Sequence, residues 1–232
     1  MGALPADRVV RDGPPALLDV GRVRALRVPT VGVLHRDGAA VVLGSMQRVE
    51  DLEPAALARD GVAVLRRRGG GGAVLLGPDD CWVELWLPCP HHGEDLRATA
   101  CTVGEWWEVA LAALGVAGAV HRGGVEGAPQ GAVACFAGLG PGEVTVAGRK
   151  LVGLSQWRCR EGALVSSVIA RRPPRALARY LAATAPPTPA LNDAACMEDV
   201  EPALGAPQLA AAFTSTVRAS LPNVRVTTSL PG

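Results

Sequence analysis

Lys150 is the only lysine among 23 basic residues; every other cation in the chain is arginine. Twenty-eight glycines, 19 prolines and abundant alanine fit a coding bias that turns surface lysines into arginines at little cost. The bias cannot act where an amine is required, since an ammonium is a compact point charge with three rotatable donors and a guanidinium is not. A lysine that merely escaped the bias is the plain alternative. Lys150 falls in EVTVAGRKLVGLSQ, just past a tight Ala147-Gly148 turn, where an amine can hold a carbonyl or phosphate during acyl transfer. Fifteen residues earlier, in GAVACFAGLGPGE, stands Cys135. A thiol beside an ammonium is an activated nucleophile, whereas a lone cysteine is most often a small buried apolar group. The third constellation is Arg66-Arg67-Arg68-Gly69-Gly70-Gly71-Gly72-Ala73-Val74. Four glycines clear a bend of side chains, so that backbone N–H groups can form an anion-binding nest and the arginines can grip a phosphate or carboxylate. A flexible hairpin loop with solvated arginines is the alternative. The tract lacks the GK[ST] ending of a P-loop, and a strand rather than a helix follows it, unlike a dinucleotide fingerprint.

The elements that must position these groups follow from hydrophobic pattern. Strands are expected at Ala39–Leu43, Val62–Leu65, Ala73–Leu76 and Cys81–Leu87, the last with Trp82, Glu84 and Trp86 on one face. A meander follows: Glu143–Val146, Arg149–Trp157 and Ala163–Ala170. Helices are expected at Leu17–Leu26, at Leu52–Arg59 behind an Asp51 cap, at Ala100–Leu114 closed by Gly115, from Pro173 to Ala183, and at Pro207–Leu221. Gly123–Gly142 and Pro186–Ala195 read as loops, and residues 1–16 as a loose arm before one domain spanning 17–232. Strands and helices do not alternate strictly, so the class is α+β, a mixed, mostly antiparallel sheet flanked by helices.

Composition narrows the function. Apolar residues are 49% and charged residues 19%, a globular mix. A formal net charge of +1 gives no basic excess for nucleic acid. No apolar run approaches the roughly 20 residues of a membrane span. Aspartates and prolines in MGALPADRVVRDGPP stand where a signal peptide needs an apolar core, so the expected location is cytoplasmic. The six cysteines, at 81, 89, 101, 135, 159 and 196, include no CxxC pair and are expected to be reduced. Adjacent His91 and His92 near Cys89 point apart on extended backbone, so no metal is expected there.

Together RRRGGGGAV, a following strand and GRKLVGLSQ some eighty residues later resemble the biotin/lipoate ligase catalytic-domain family, in its lipoate–protein ligase A and octanoyltransferase branch. VVLGSMQRVEDLEPAALARDGVAVLRRRGGGG resembles the family's strand, helix and glycine-loop order, and LARYLAATAP its helix after the meander; the likeness covers roughly residues 40–215. It implies a lipoyl-like chain lying between the glycine loop and the lysine strand. It implies that Arg67, Gly72, Ala73, Val74 and Leu75 contact the acyl-adenylate, with Gly70 and Gly71 in the same substrate loop, and that Lys150 meets its carboxyl or phosphate. Cys135 matches the nucleophile of one octanoyltransferase group: CFAGLGPGEVTVAGRK is similar to that group's CFxAPSxYExxxxGRK, with the same spacing to the lysine. Two departures stand out. The family's His-Asp after the glycine strand is Leu76-Gly77 here, and the ligases' Arg-Asn-Asp is replaced by Gly140-Pro141-Gly142-Glu143. The resemblance implies an enzyme of protein lipoylation that moves an octanoyl or lipoyl group onto a lysine of a lipoyl carrier domain. One form is a transferase without cofactor, taking its acyl group from acyl-carrier protein or a lipoyl-protein. Another is a ligase using free lipoate, ATP and Mg. A non-catalytic lipoyl-binding relative is the third reading. An accessory C-terminal domain is not expected.

Overall fold

The computed structural model describes residues 11–12, 20–91, 95–127, 133–185 and 189–227. Its strands form two sheets. The smaller has the order β1 (Arg11–Asp12), β4 (Ala63–Arg66), β3 (Ala40–Leu43), β5 (Val74–Leu76), parallel except for the β3–β5 pair. The larger runs β11 (Arg225–Thr227), β2 (Thr30–Leu34), β6 (Cys81–Pro88), β10 (Gly162–Ile169), β9 (Arg149–Cys159), β8 (Val144–Val146), β7 (Ala119–Val120), antiparallel except for β11 beside β2. The expected class, α+β with a mostly antiparallel sheet and flanking helices, is the one observed.

Two cores follow from the alternation along β6. Val83, Leu85 and Leu87 face α3 (Leu96–Ala113) and α5 (Ala206–Ser220), whose Trp107 and Phe213 rings stack at 4.3 Å. Trp82 points the other way, into a core shared with the smaller sheet and α2 (Pro54–Asp60). With both faces covered, β6 has no exposed residue. The two short helices are α1 (Val20–Ala25) and α4 (Met197–Val200). None of the described helices is long and apolar enough to cross a membrane.

The differences from the sequence expectations have local causes. α2 starts at Pro54 because the Glu53 carboxylate caps it through Ala55 N, while Asp51 closes a preceding 3-10 turn. α3 begins one turn early, where Asp95 Oδ1 accepts from Ala98 N at 2.7 Å. The helix expected from Pro173 is a 3-10 helix, Pro174–Tyr180, ended where Leu181 bridges to Leu52. The loops expected at Gly123–Gly142 and Pro186–Ala195 hold 3-10 turns at Cys135–Ala137 and Pro189–Asp193. Of the arm expected at residues 1–16, Arg11 and Asp12 pair with Leu65 and Arg66, and the others lie outside the described residues. β2, β11, β7 and α4 were not expected at all.

One buried acid interrupts the apolar β6. Glu84 is fully buried; its Oε1 accepts from Trp82 Nε1 and Ser166 Oγ, each at 3.3 Å, and its Oε2 has no partner among the described residues. Burial pushes its pKa up to about 7, against the pull of those two donors. A carboxyl raised in the folded state contributes no penalty below its unfolded value and its full penalty once ionised. Stability therefore falls as pH rises from about 4.5 through about 7, by roughly 3 kcal/mol. Glu84→Gln is expected to lack this slope. Urea unfolding of both proteins at pH 5 and pH 8 tests it, and parallel pH dependences would remove Glu84 as the cause.

Candidate functional site

The smaller sheet delivers the glycine tract. Only Arg68 of the three arginines is exposed. Arg66 donates to the carbonyls of Gly44, Ser45 and Gln47. Arg67, 2% exposed, turns inward and donates to Ser155 Oγ at 3.0 Å, Val42 O at 3.2 Å, Gly70 O at 2.7 Å and Gly72 O at 2.8 Å. Its guanidinium thus holds the tract from beneath. Gly71 has φ +90°, a left-handed backbone that favours glycine. Gly72 is required by contact: a Cβ there would lie 2.4 Å from the Ala134 carbonyl carbon and 2.6 Å from the nitrogens of Ala134 and Cys135. That closeness follows from a one-residue parallel bridge, with Ala73 N donating to Val133 O and Cys135 N to Ala73 O.

The larger sheet delivers the lysine. Ala147 and Gly148, at φ 49° and 75°, make the expected turn, and β9 carries Lys150 inward. Lys150 is 7% exposed. Its Nζ donates to Glu143 Oε1 at 2.6 Å, Cys135 O at 2.7 Å and Gly138 O at 3.0 Å, with Cys135 Sγ at 3.8 Å and the Phe136 ring centroid at 5.2 Å. Three acceptors match the three protons of an ammonium. Burial works against the charge, but the Cys135 and Glu143 side chains outweigh it and hold the Lys150 pKa above its ordinary value. Glu143 is as buried as its partner. Its Oε1 also accepts from Leu154 N at 3.0 Å and its Oε2 from Gly140 N at 2.7 Å. The loop carrying it rests on α3 backbone to backbone, since a Cβ on Gly104 would sit 2.1 Å from Gly142 O.

Between the two deliveries opens a cleft of about 740 Å³, lined on one wall by Gly71 and Gly72 and on the other by Cys135, Glu143 and Lys150. Met46 and Val125, both exposed, stand on its rim. Gln47 ties the walls together, accepting from Gly44 N and donating to Val133 O. Cys135 is half-buried in this wall, and a Cβ on Gly153 would touch its Sγ at 3.3 Å. Such a thiol can attack an acyl carbon entering the cleft, with Lys150 beside the developing charge.

The sequence candidates thus divide. Gly71, Gly72, Cys135 and Lys150 meet in the cleft. Gly70 is exposed above it and Arg67 lies below. Ala73 and Val74 are buried in the core between the sheets, and Leu75 lines a separate depression with Gly77. Leu76 is core and Gly77 N donates to Asp80 Oδ2, so the Leu76-Gly77 replacement falls outside the cleft wall. Three residues escaped the sequence reading: Glu143, Ser155 and Gln47. The first two stand inside the strings already quoted around Lys150, and Gln47 carries no signal. Of the tryptophans, Trp82, Trp86 and Trp107 are core, and none lines the cleft. Cys89 and His91 are exposed, and His92 lies outside the described residues. All six cysteines are free.

The family model of the lipoyl protein ligase A/B catalytic domain matches residues 21–181. No curated protein matches the chain by sequence. Among solved structures, a lipoate-protein ligase A bound with ATP superposes with TM-score 0.70 at 15% identity, over 94% of this chain and 88% of that one. Protein Ta0514 of T. acidophilum with bound lipoic acid gives 0.69 at 15%, over 94% and 87%. A bi-partite lipoate protein ligase of Thermoplasma acidophilum, described with its E2 lipoyl domain, gives 0.64 at 14%, over 94% and 84%. At such identities these likenesses speak for a shared fold.

Proposed function

Because the chain belongs to the lipoyl protein ligase A/B catalytic-domain family, we propose that it is an acyltransferase of protein lipoylation working through a thioester on Cys135. The observation that carries the reading is Cys135 Sγ, on the cleft wall 3.8 Å from the only lysine amine of the chain. In the first half-reaction the Cys135 thiolate adds to the thioester carbon of an octanoyl or lipoyl carrier protein. The tetrahedral oxyanion collapses, the carrier's thiolate leaves, and the acyl group stays on Sγ. In the second, the neutral ε-amine of a lipoyl-domain lysine adds to the same carbon, loses a proton, and expels the Cys135 thiolate. Lys150 supports both steps: its bond to Gly138 O, the longest of the three, is the one to yield when a full negative charge forms nearby. The acyl chain runs along Gly71 and Gly72, with Arg67 holding the Gly70 and Gly72 carbonyls away from it. The acceptor is a lipoyl carrier domain, and the donor of this thioester step is an acyl-carrier protein; with a lipoyl-protein, whose acyl group is an amide, the group that leaves is the lysine amine, which carries off the proton of the Cys135 thiol.

An ATP-dependent ligase making lipoyl-adenylate from free lipoate is the second reading; its support is the likeness to the ATP-bound ligase. That route needs Mg beside the phosphates, and Glu143, the carboxylate in the Lys150 wall, already receives the Lys150 ammonium and two backbone N–H groups. Asp51 is a second carboxylate on the cleft; what favours the transferase is the Cys135 thiol beside Lys150. Intact mass spectrometry after incubation with octanoyl-carrier protein, with and without ATP, decides between them. An octanoyl adduct without ATP, absent from Cys135→Ser, is the expected result. Transfer that requires ATP and survives Cys135→Ser overturns the transferase reading.

A further inference from the structure

Four charged residues line the cleft: Arg48, Asp51, Glu143 and Lys150. Three of them are spoken for. Glu143 and Lys150 are held by each other and by backbone groups, with every proton of the ammonium and both oxygens of the carboxylate in use. Arg48 sends its guanidinium to Glu50, Nε to Oε2 at 3.6 Å, where both side chains are exposed. Asp51 differs. It is half-buried, and its carboxylate has one partner among the described residues: Oδ2 accepts from Arg48 N at a long 3.3 Å. A carboxylate offers about four lone-pair sites, so most of its capacity is unused. The backbone that carries it is fixed. Asp51 closes the 3-10 turn Val49–Asp51, and its carbonyl accepts from Ala182 N at 2.8 Å, beside the bridge of Leu52 to Leu181. Gln47, where this segment begins, is tied to Val133 O at 2.8 Å on the wall that carries Cys135.

We propose that Asp51 is the acceptor-binding residue of the cleft, receiving the ε-ammonium of the lysine to be acylated. This rests on the proposed function, in which a lysine of a lipoyl domain is the final acceptor, and it holds for the transferase and the ligase form alike, since both end with attack by the same amine. With a pKa of about 10.4, such a lysine reaches the cleft carrying its proton. Lys150 cannot draw it in, being a cation itself, and Glu143 already has its donors. Asp51 is the carboxylate left to take the ammonium, through a charge-assisted hydrogen bond that fixes direction as well as place. Its part is capture and aim. One proton of the ammonium then passes to water at the cleft mouth, and the freed nitrogen lone pair adds to the acyl carbon. Met46 and Val125, exposed on the rim, flank the entry with apolar surface that suits the methylene stem of a lysine.

A double-mutant cycle on affinity tests this without requiring turnover. An unmodified lipoyl domain, and the same domain with its acceptor lysine changed to Gln, are each titrated calorimetrically into the wild-type chain and into Asp51→Asn. The Asn amide keeps an oxygen for Arg48 N, so the turn is preserved. With the native domain, Asp51→Asn is expected to weaken binding about fivefold, the upper end for an ion pair that solvent can reach. With the Gln domain the two proteins are expected to bind alike. A loss that is equal for both domains, or no loss with either, overturns the proposal. If the wild-type chain binds neither domain, the acceptor named in the proposed function falls and the assignment of Asp51 falls with it. A second measurement separates capture from chemistry. Release of the octanoyl group from the acyl-enzyme by hydroxylamine, a nucleophile uncharged at neutral pH, is expected to be the same in both proteins, while transfer to a sub-saturating lipoyl domain falls about fivefold in Asp51→Asn. Equal losses with the two nucleophiles would make Asp51 a structural support only and would equally overturn the proposal. Failure of the wild-type chain to form an octanoyl adduct counts against Cys135 alone, and the affinity cycle still decides Asp51.

Discussion

On the proposed mechanism, replacing Lys150 with Arg is expected to lower octanoyl transfer to a lipoyl domain by at least about a hundredfold, the scale that follows when a positioned donor beside a developing oxyanion is lost. The change conserves formal charge, so the effect isolates shape. An ammonium satisfies Glu143, Cys135 O and Gly138 O in three directions from one atom. A planar guanidinium is longer, holds its donors in one plane and cannot point at all three acceptors. It can still pair with Glu143, so the protein folds, with a stability loss of about 1–3 kcal/mol from forcing extra volume into a buried wall. Lys150→Met is harsher: it leaves the Glu143 carboxylate buried without its cation, a loss of about 3–5 kcal/mol. Transfer rates and urea unfolding of both variants check the expectation. Near-normal transfer by Lys150→Arg would mean that the amine is not what the reaction needs.

Gly72→Ala is expected to do comparable damage from the other wall. Its Cβ would overlap the backbone of Ala134 and Cys135, at 2.4–2.6 Å, and backbone cannot rotate away. The tract and the cysteine turn must then separate, displacing Sγ relative to the opposite wall. A displacement of about 1 Å is enough to cost roughly a hundredfold in rate. The expected stability loss is about 1–3 kcal/mol. Gly70→Ala is the internal control: nothing lies within 4 Å of its Cβ position and its φ is not left-handed. Thermal melts and the yield of acyl adduct compare the two. Equal behaviour would show that the tract tolerates side chains throughout and forms no tight wall.

Much of this site was legible in the sequence because its chemistry is carried by rare or punctuating residues. A single lysine, a cysteine fifteen positions before it and four consecutive glycines mark Lys150, Cys135 and the bend without any knowledge of distance. What was not legible is direction. Arg67 and Arg68 are identical neighbours, yet one is buried among carbonyls and the other is exposed. The difference is made by Ser155, 88 residues further on from Arg67, and by Val42. Glu143 looked like part of a replaced ligase motif, because the two backbone N–H groups and the ammonium that fix it converge only in three dimensions. In the fold, patterned strands such as β6 and β10 were plain. β2, TVGVL, was not, since Gly32 breaks its run and its place in the sheet depends on β6 and on three residues near the C-terminus. α3 was placed one turn late because its start is set by a cap, Asp95, standing before the apolar pattern begins.

The cleft is a seam between two sheets, and its seam-closing contacts join distant parts of the chain: 88 positions for Arg67 to Ser155, 86 for Gln47 to Val133, 85 for Ser155 to Gly70. Chain entropy grows only with the logarithm of such a loop, so closing one of this length costs about 2 kcal/mol more than closing one of ten residues. Adding a further ten residues between the sheets would change that figure by roughly a tenth of a kcal/mol. The segment connecting the walls is thus free to lengthen or shorten at the surface, while the walls themselves, packed backbone against backbone at Gly72, admit not even one methyl group. Length is cheap in this protein where width is not.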